Sequence, residues 1–129
     1  MPITVEWVNP EHTVLLYEVV GNWNWDDYDA ANAIASDWVT SVNHNVALIC
    51  DFSASACIPP RVLSHVGRSL RQKRPRNIDP IVVVGVTGLL RNLTDVLRTL
   101  YPRATADIIH AHTLEHAFRL IGAPGQTQA

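Results

Sequence analysis

Two short runs open the chain. Residues 3–8 (ITVEWV) alternate weakly between apolar and polar, and residues 13–20 (TVLLYEVV) are rich in β-branched and aromatic types. Both patterns predict strands. Asn9-Pro10-Glu11-His12 between them predicts a turn, so the two strands should form an antiparallel hairpin. Beyond Gly21-Asn22 the period changes. Tyr28, Ala31, Ala35, Trp38, Val39 and Val42 recur on one side of a helix. Asn24 stands where an N-cap belongs, with Asp27 three residues on in the manner of a capping box. Residues 46–52 (VALICDF) and 81–86 (IVVVGV) are nearly continuous apolar runs, as expected of strands covered on both faces. Between them a loop (SASACI) leads into Pro59-Pro60, and Val62, Leu63, Val66 and Leu70 predict a second helix. Residues 75–80 read as a linker. A third helix is predicted over about 88–100, with Leu89, Leu93, Val96, Leu97 and Leu100 inward. A short strand over 107–111 follows, then a last helix capped by Thr113 and ended by Gly122 and Pro124.

The predicted order is therefore β-β-α-β-α-β-α-β-α. An α/β fold follows, with a mixed sheet of four to five strands: the alternation from the third strand onward implies parallel crossovers, and the hairpin adds an antiparallel pair. The chain has 129 residues, 47% hydrophobic and 17% charged, which suits one globular domain over 1–122. Residues 123–129 (APGQTQA) read as a disordered tail.

Composition narrows the function classes. No apolar run approaches the roughly 18 residues that span a bilayer. Glu6 interrupts the first apolar run and no basic segment precedes it, so no signal peptide is expected and the location should be cytoplasmic. Cys50 and Cys57 lack the adjacency of a redox pair, and a disulfide between them is not expected in that compartment. The net charge of −2 hides an asymmetry: residues 1–60 hold eight acids and no Lys or Arg, whereas residues 61–76 hold six bases and no acid. Such polarity can steer partners or drive self-association.

Several groupings could carry chemistry. His110, His112 and His116 have a spacing that could bring imidazoles together, but a strand-end histidine plus a solvated helical one explains them as well, and no metal or other cofactor is expected. Gly85-Val86-Thr87-Gly88 joins a strand to a helix with Arg91 one turn inside, so Thr87, Gly88 and Arg91 are candidates for holding an anion. The turn is neither a dinucleotide fingerprint nor a P-loop. RSLRQKRPR is short, lacks interleaved aromatics and sits in a net acidic domain, which argues against nucleic acid. Trp23 and Trp25 flank Asn24 and would anchor an interface if exposed; the plainer expectation is that at least one packs beneath the helix. His44, Asp51 and Ser53 can be assembled into a triad on paper only. No nucleophile elbow or paired carboxylates stand out, so no enzyme is expected.

With the element order in hand, the chain resembles the STAS domain family, the fold of bacterial anti-anti-sigma factors and sulfate-transporter tails. It is most similar to the small STAS-like proteins grouped with the CRAL-TRIO lipid-binding fold. GNWNWDDYDAA, VALICDFSASACIPP, IVVVGVTGLLRNL and HTLEHAF carry the resemblance, which spans roughly residues 3–122. The resemblance implies a phosphorylated serine at the start of the helix after the central strand, where phosphate meets free backbone N–H groups. That position falls on Pro59 or Pro60 here, which cannot be phosphorylated. Ser53 and Ser55 lie earlier in the loop. The expectation is a non-catalytic regulatory or protein-interaction module without the usual switch. Its interaction residues would be Trp23, Trp25, Ser53, Ser55, Pro59, Pro60 and Arg61, and its partner another protein or a second copy in a homodimer. The alternative is a small apolar-ligand or lipid-binding protein of CRAL-TRIO type.

Overall fold

The computed structural model describes residues 2–56, 59–71, 75–85, 88–106 and 108–122, with the side chains of 69–71, 88–91, 93 and 94 outside that description. Five strands and four helices follow one another as β1 (Ile3–Trp7), β2 (Val14–Gly21), α1 (Trp25–Thr40), β3 (Val46–Ser55), α2 (Val62–Arg71), β4 (Ile78–Val84), α3 (Gly88–Leu100), β5 (Ile108–Ala111) and α4 (Leu114–Ile121). The order predicted from the apolar pattern is the observed one. The sheet has five strands in the spatial order β1-β2-β3-β4-β5. β1 and β2 pair antiparallel, and β2 through β5 are all parallel.

Alternation along β2 and β3 divides the interior into two layers. Leu15, Tyr17, Val19 and Leu48 point to one face, where they pack with Ala31, Ala35 and Val39 of α1. Leu16, Ile49, Val82 and Val84 point to the other, where they pack with Ala117 of α4 and its flanking Leu114, Phe118 and Ile121. Leu15, Val39, Ile49, Val82 and Val84 are fully buried. Each such side chain contributes roughly 1.5–3 kcal/mol through removal from water.

The helix ends follow local chemistry. Asn24 caps α1: its side chain accepts from the Asp27 N–H, and the Asp27 carboxylate accepts from the Asn24 N–H, completing the expected capping box. Thr113 caps α4 by accepting from the His116 N–H, and Gly122 closes it in the left-handed conformation.

Some boundaries moved. β3 runs on to Ser55, so Ser53 and Ser55 belong to a strand and not to the loop expected there. β4 begins at Ile78, inside the stretch read as a linker, because its register with β3 skips: Val46 faces Ile78, and Leu48 faces Ile81. The skip places Pro80, which has no N–H to give, where the ladder is interrupted. α2 starts at Val62, so Pro59 and Pro60 precede the helix and do not open it. Its Leu63 is exposed, as are Val96 and Leu100 of α3, which were expected inward, while Leu97 is buried. Spacing alone cannot choose between adjacent positions when a helix meets the rest of the fold along a narrow stripe. The tail at 123–129 lies outside the described residues.

Gly85 ends β4 with φ of +75°, and a Cβ there would lie 2.6 Å from Ser53 Oγ and 2.7 Å from the Ser53 backbone. Glycine is required both for the left-handed backbone and for the close approach. Gly85→Ala is expected to cost roughly 2–4 kcal/mol of unfolding free energy, measured by urea denaturation.

Tyr17, Tyr28 and Cys50 meet beneath α1. Cys50 is a free thiol, and burial pushes it from 9.0 up to about 12. Burial, then the neighbouring Cys50, push Tyr28 from 10.0 up to about 12, and Tyr17 shifts in the same direction. The folded chain therefore holds protons that the unfolded chain releases first. Their stabilising effect is complete below pH 9 and is lost as pH rises toward 12. Urea midpoints measured across that range should fall steeply, and Cys50→Ala should make the decline shallower.

Candidate functional site

The carboxyl ends of the parallel strands bring together the loop after β2 and the loop after β3, the place where open α/β sheets usually carry function. Two tryptophans join these loops. Trp23 is buried, and its indole N–H donates to Ser55 Oγ at 2.9 Å. Its ring meets Trp25 edge-on, with centroids 5.1 Å apart, and leans on Tyr28 and Phe52. Trp25 opens α1, and its N–H donates to the Pro60 carbonyl at 2.7 Å. Two hydrogen bonds thus fasten residues 22–25 to the end of β3 and the start of α2, across more than thirty positions of sequence.

Trp25 also lies flat on His65 of α2, with centroids 4.4 Å apart and planes 11° from parallel. His65 Nε2 is 2.9 Å from Asp29 Oδ1 of α1, and the Arg68 guanidinium is 3.1 Å from His65 Nδ1. Arginine can only donate, so Nδ1 accepts and the ring proton sits on Nε2, shared with Asp29. An aspartate and a histidine in contact are two parts of a hydrolytic triad, yet the nitrogen that a nucleophile would need is occupied by Arg68. The group therefore works as a clamp between α1 and α2. Asp29, His65 and Arg68 were not singled out from the sequence. Asp29 and His65 are 36 positions apart, and only the stacking of α2 beside α1 unites them.

The expected interaction residues divide by exposure. Trp23 is inside, which corrects its reading as an interface anchor: its ring is filled around by Phe52, Tyr28 and Trp25. Pro59 is buried as well, and Ser55 accepts the Trp23 bond. Trp25 is half-buried. Ser53, Pro60 and Arg61 are exposed, and Arg61 holds φ of +63° in the tight turn into α2. Leu63, 42% exposed, stands next along the helix, with Ser64 and Arg68 also in water. This edge thus exposes Leu63 together with Arg61 and Arg68.

The other groupings come apart. Of the anion candidates, Thr87 and the side chain of Arg91 lie outside the described residues, and Gly88 opens α3. His112 and His116 stack with centroids 5.9 Å apart, and the His112 N–H donates to His116 Nδ1; His110 is on β5. No group of three metal-ligating side chains forms among the described residues. Asp51 Oδ1 accepts from the Ser53 N–H, while His44 precedes the opposite end of β3. Val46–Cys50 lies between it and Asp51, roughly 17 Å along the strand, so the three residues form no triad. No helix among the described residues is long and apolar enough to cross a membrane.

At the other end of the sheet a cleft of about 310 Å³ opens to solvent between the β1–β2 turn and the end of α4, with Glu11, Thr13, Val14 and Ile121 among its walls. The chain matches no protein-family model and no curated protein sequence.

The clamp makes a local prediction. Trp25→Phe keeps a ring over His65 but deletes the bond to Pro60. Amide hydrogen exchange should speed up in residues 61–68 while β3 stays protected, with global stability lower by about 1 kcal/mol.

Proposed function

We propose that this chain is a non-catalytic, cytoplasmic STAS-like module that acts through protein contacts and lacks the usual phosphoserine switch. The observation that carries the reading is the edge just described: Arg61 in the turn before α2, with Leu63 and Arg68 on the helix, whose position is pinned by Trp23, Trp25 and His65. Preorganisation of this kind lowers the ordering cost of binding, so a small apolar contact flanked by arginines yields more net affinity. The element order and mixed sheet agree with the STAS resemblance. Pro59 and Pro60, one buried and one exposed, leave no hydroxyl where the family's phosphate would sit. Arg68 on the free nitrogen of His65 also argues against hydrolytic chemistry at the clamp.

Among the described residues, a small apolar ligand would meet the cleft at the opposite end, whose walls include Asn9, Glu11 and Thr13 and which is not closed from water. Apolar cargo is better served by a dry, enclosed pocket.

The test compares the tagged chain with its Leu63→Asp variant, both purified from the native host and both checked by circular dichroism. The expected result is a protein partner recovered in near-equal amount with the parent chain and at least tenfold less with the variant. Equal recovery with both, together with a lipid adduct in native mass spectrometry, would sink the interaction reading in favour of the carrier.

A further inference from the structure

The sheet is covered unequally. Among the described residues α4 packs mainly on β3, β4 and β5, and on that face Val14 and Leu16 are buried, whereas the outward positions of β1 and the carboxyl end of β2 are exposed. Thr4, Glu6, Glu18 and Val20 are exposed there, on the side opposite the buried Ile3, Tyr17 and Val19. Thr4 faces Glu18 across β1 and β2, and Glu18 is in register with Asp51 of β3. Glu11 adds a further carboxylate at the β1–β2 turn. Residues 1–60 contain no Lys or Arg, so these strands supply no countercharge of their own. Val20 leaves half its surface in water beside the acids.

The complementary surface is on the far side of the same sheet. α2 lies with α1, on the layer that Trp25 and His65 join. Arg61, Arg68 and Arg76 are exposed along it and just beyond it, and Leu63 is exposed on the same helix. Residues 61–76 contain no acid. The sheet stands between the two surfaces, so one copy cannot bring the arginines of α2 to its own Glu6 and Glu18. The acids of α1 are a rival target, but they lie beside α2 in their own copy, and Asp29 is already in contact with His65 there.

We propose that this chain associates with itself head to tail, the α2 surface of one copy seated on the open β1–β2 face of the next. Leu63 meets the face that carries Val20, and the arginines meet Glu6 and Glu18. The contact deepens the interaction reading by naming a second copy as a partner of α2. Because it joins two different surfaces, each copy can engage two neighbours, and the assembly grows past a dimer unless its rotation closes a ring. Opposite charges at the rim speed and orient such docking and make it sensitive to salt.

Sedimentation velocity of the full chain over a wide concentration range, at low and at high salt, tests this. The average mass should rise past that of a dimer at low salt and fall back at high salt. Glu6→Gln with Glu18→Gln, or Arg61→Gln with Arg76→Gln, should each weaken association by roughly tenfold. Glu6, Glu18, Arg61 and Arg76 are all exposed, so the fold should tolerate the changes, which circular dichroism checks. An equal mixture of the two variants should restore association but stop at two copies, since each retains one intact surface. Three results would overturn the proposal: a monomer throughout, a closed dimer indifferent to both variants, or loss of association with Asp26→Asn and Asp37→Asn instead. A monomer that still takes a different protein through Leu63 would overturn self-association alone and leave the interaction reading standing.

Discussion

Strands β2 to β5 are parallel and lie side by side in chain order. Each return from the end of one strand to the start of the next must therefore cross the sheet, and right-handed crossovers place α1, α2 and α3 on the same side. α1 fills that side over β1 and β2, α2 leans on α1 through His65, and α3 meets α2 where Gly67 makes room for the Tyr101 hydroxyl. Among the described residues, only α4, after the last strand, is left for the other side. One eight-residue helix cannot cover five strands. The uneven coverage of the sheet is thus a consequence of strand order and handedness, and it leaves Glu6 and Glu18 in water.

The same arrangement explains why α2 needs its fastenings. It follows a tight turn at Arg61, is only ten residues long and carries several bases, so its own propensity and burial hold it weakly. Trp25 over His65, the indole bond to Pro60 and the Asp29–His65–Arg68 chain supply what apolar packing does not. Aromatic side chains suit this role because they combine a large flat surface with one polar hydrogen in a fixed direction. The effect is a rigid edge with Leu63 and two arginines outward.

Much of the fold was legible before the structure. The continuous apolar runs named β3 and β4, the hairpin was read from its turn, and Asn24, Thr113 and Gly122 marked helix ends. These signals are local: a cap or a turn is decided by a few neighbouring residues. The extension of β3 through Ser53 to Ser55 was not legible, because polar residues join a strand when a partner strand offers its ladder, and Gly21 and Val20 do so here. The entry of Pro80 into β4 likewise depended on a register skip that only the neighbouring strand creates.

For the candidate site the division is sharper. By itself the sequence determined the charge asymmetry, the two tryptophans around Asn24 and the proline pair ahead of the second helix, since these depend on residue identity and order alone. Only the tertiary structure decided that Trp23 is inside, that Trp25 lies on His65, and that the acids of β1 and β2 face away from the arginines of α2. Those facts depend on which elements share a face of the sheet, and that is set by crossovers linking residues far apart in the chain. The physical reason is the same in each case: propensity and capping act over a few residues, whereas burial and charge complementarity act between surfaces that exist only once the chain has folded.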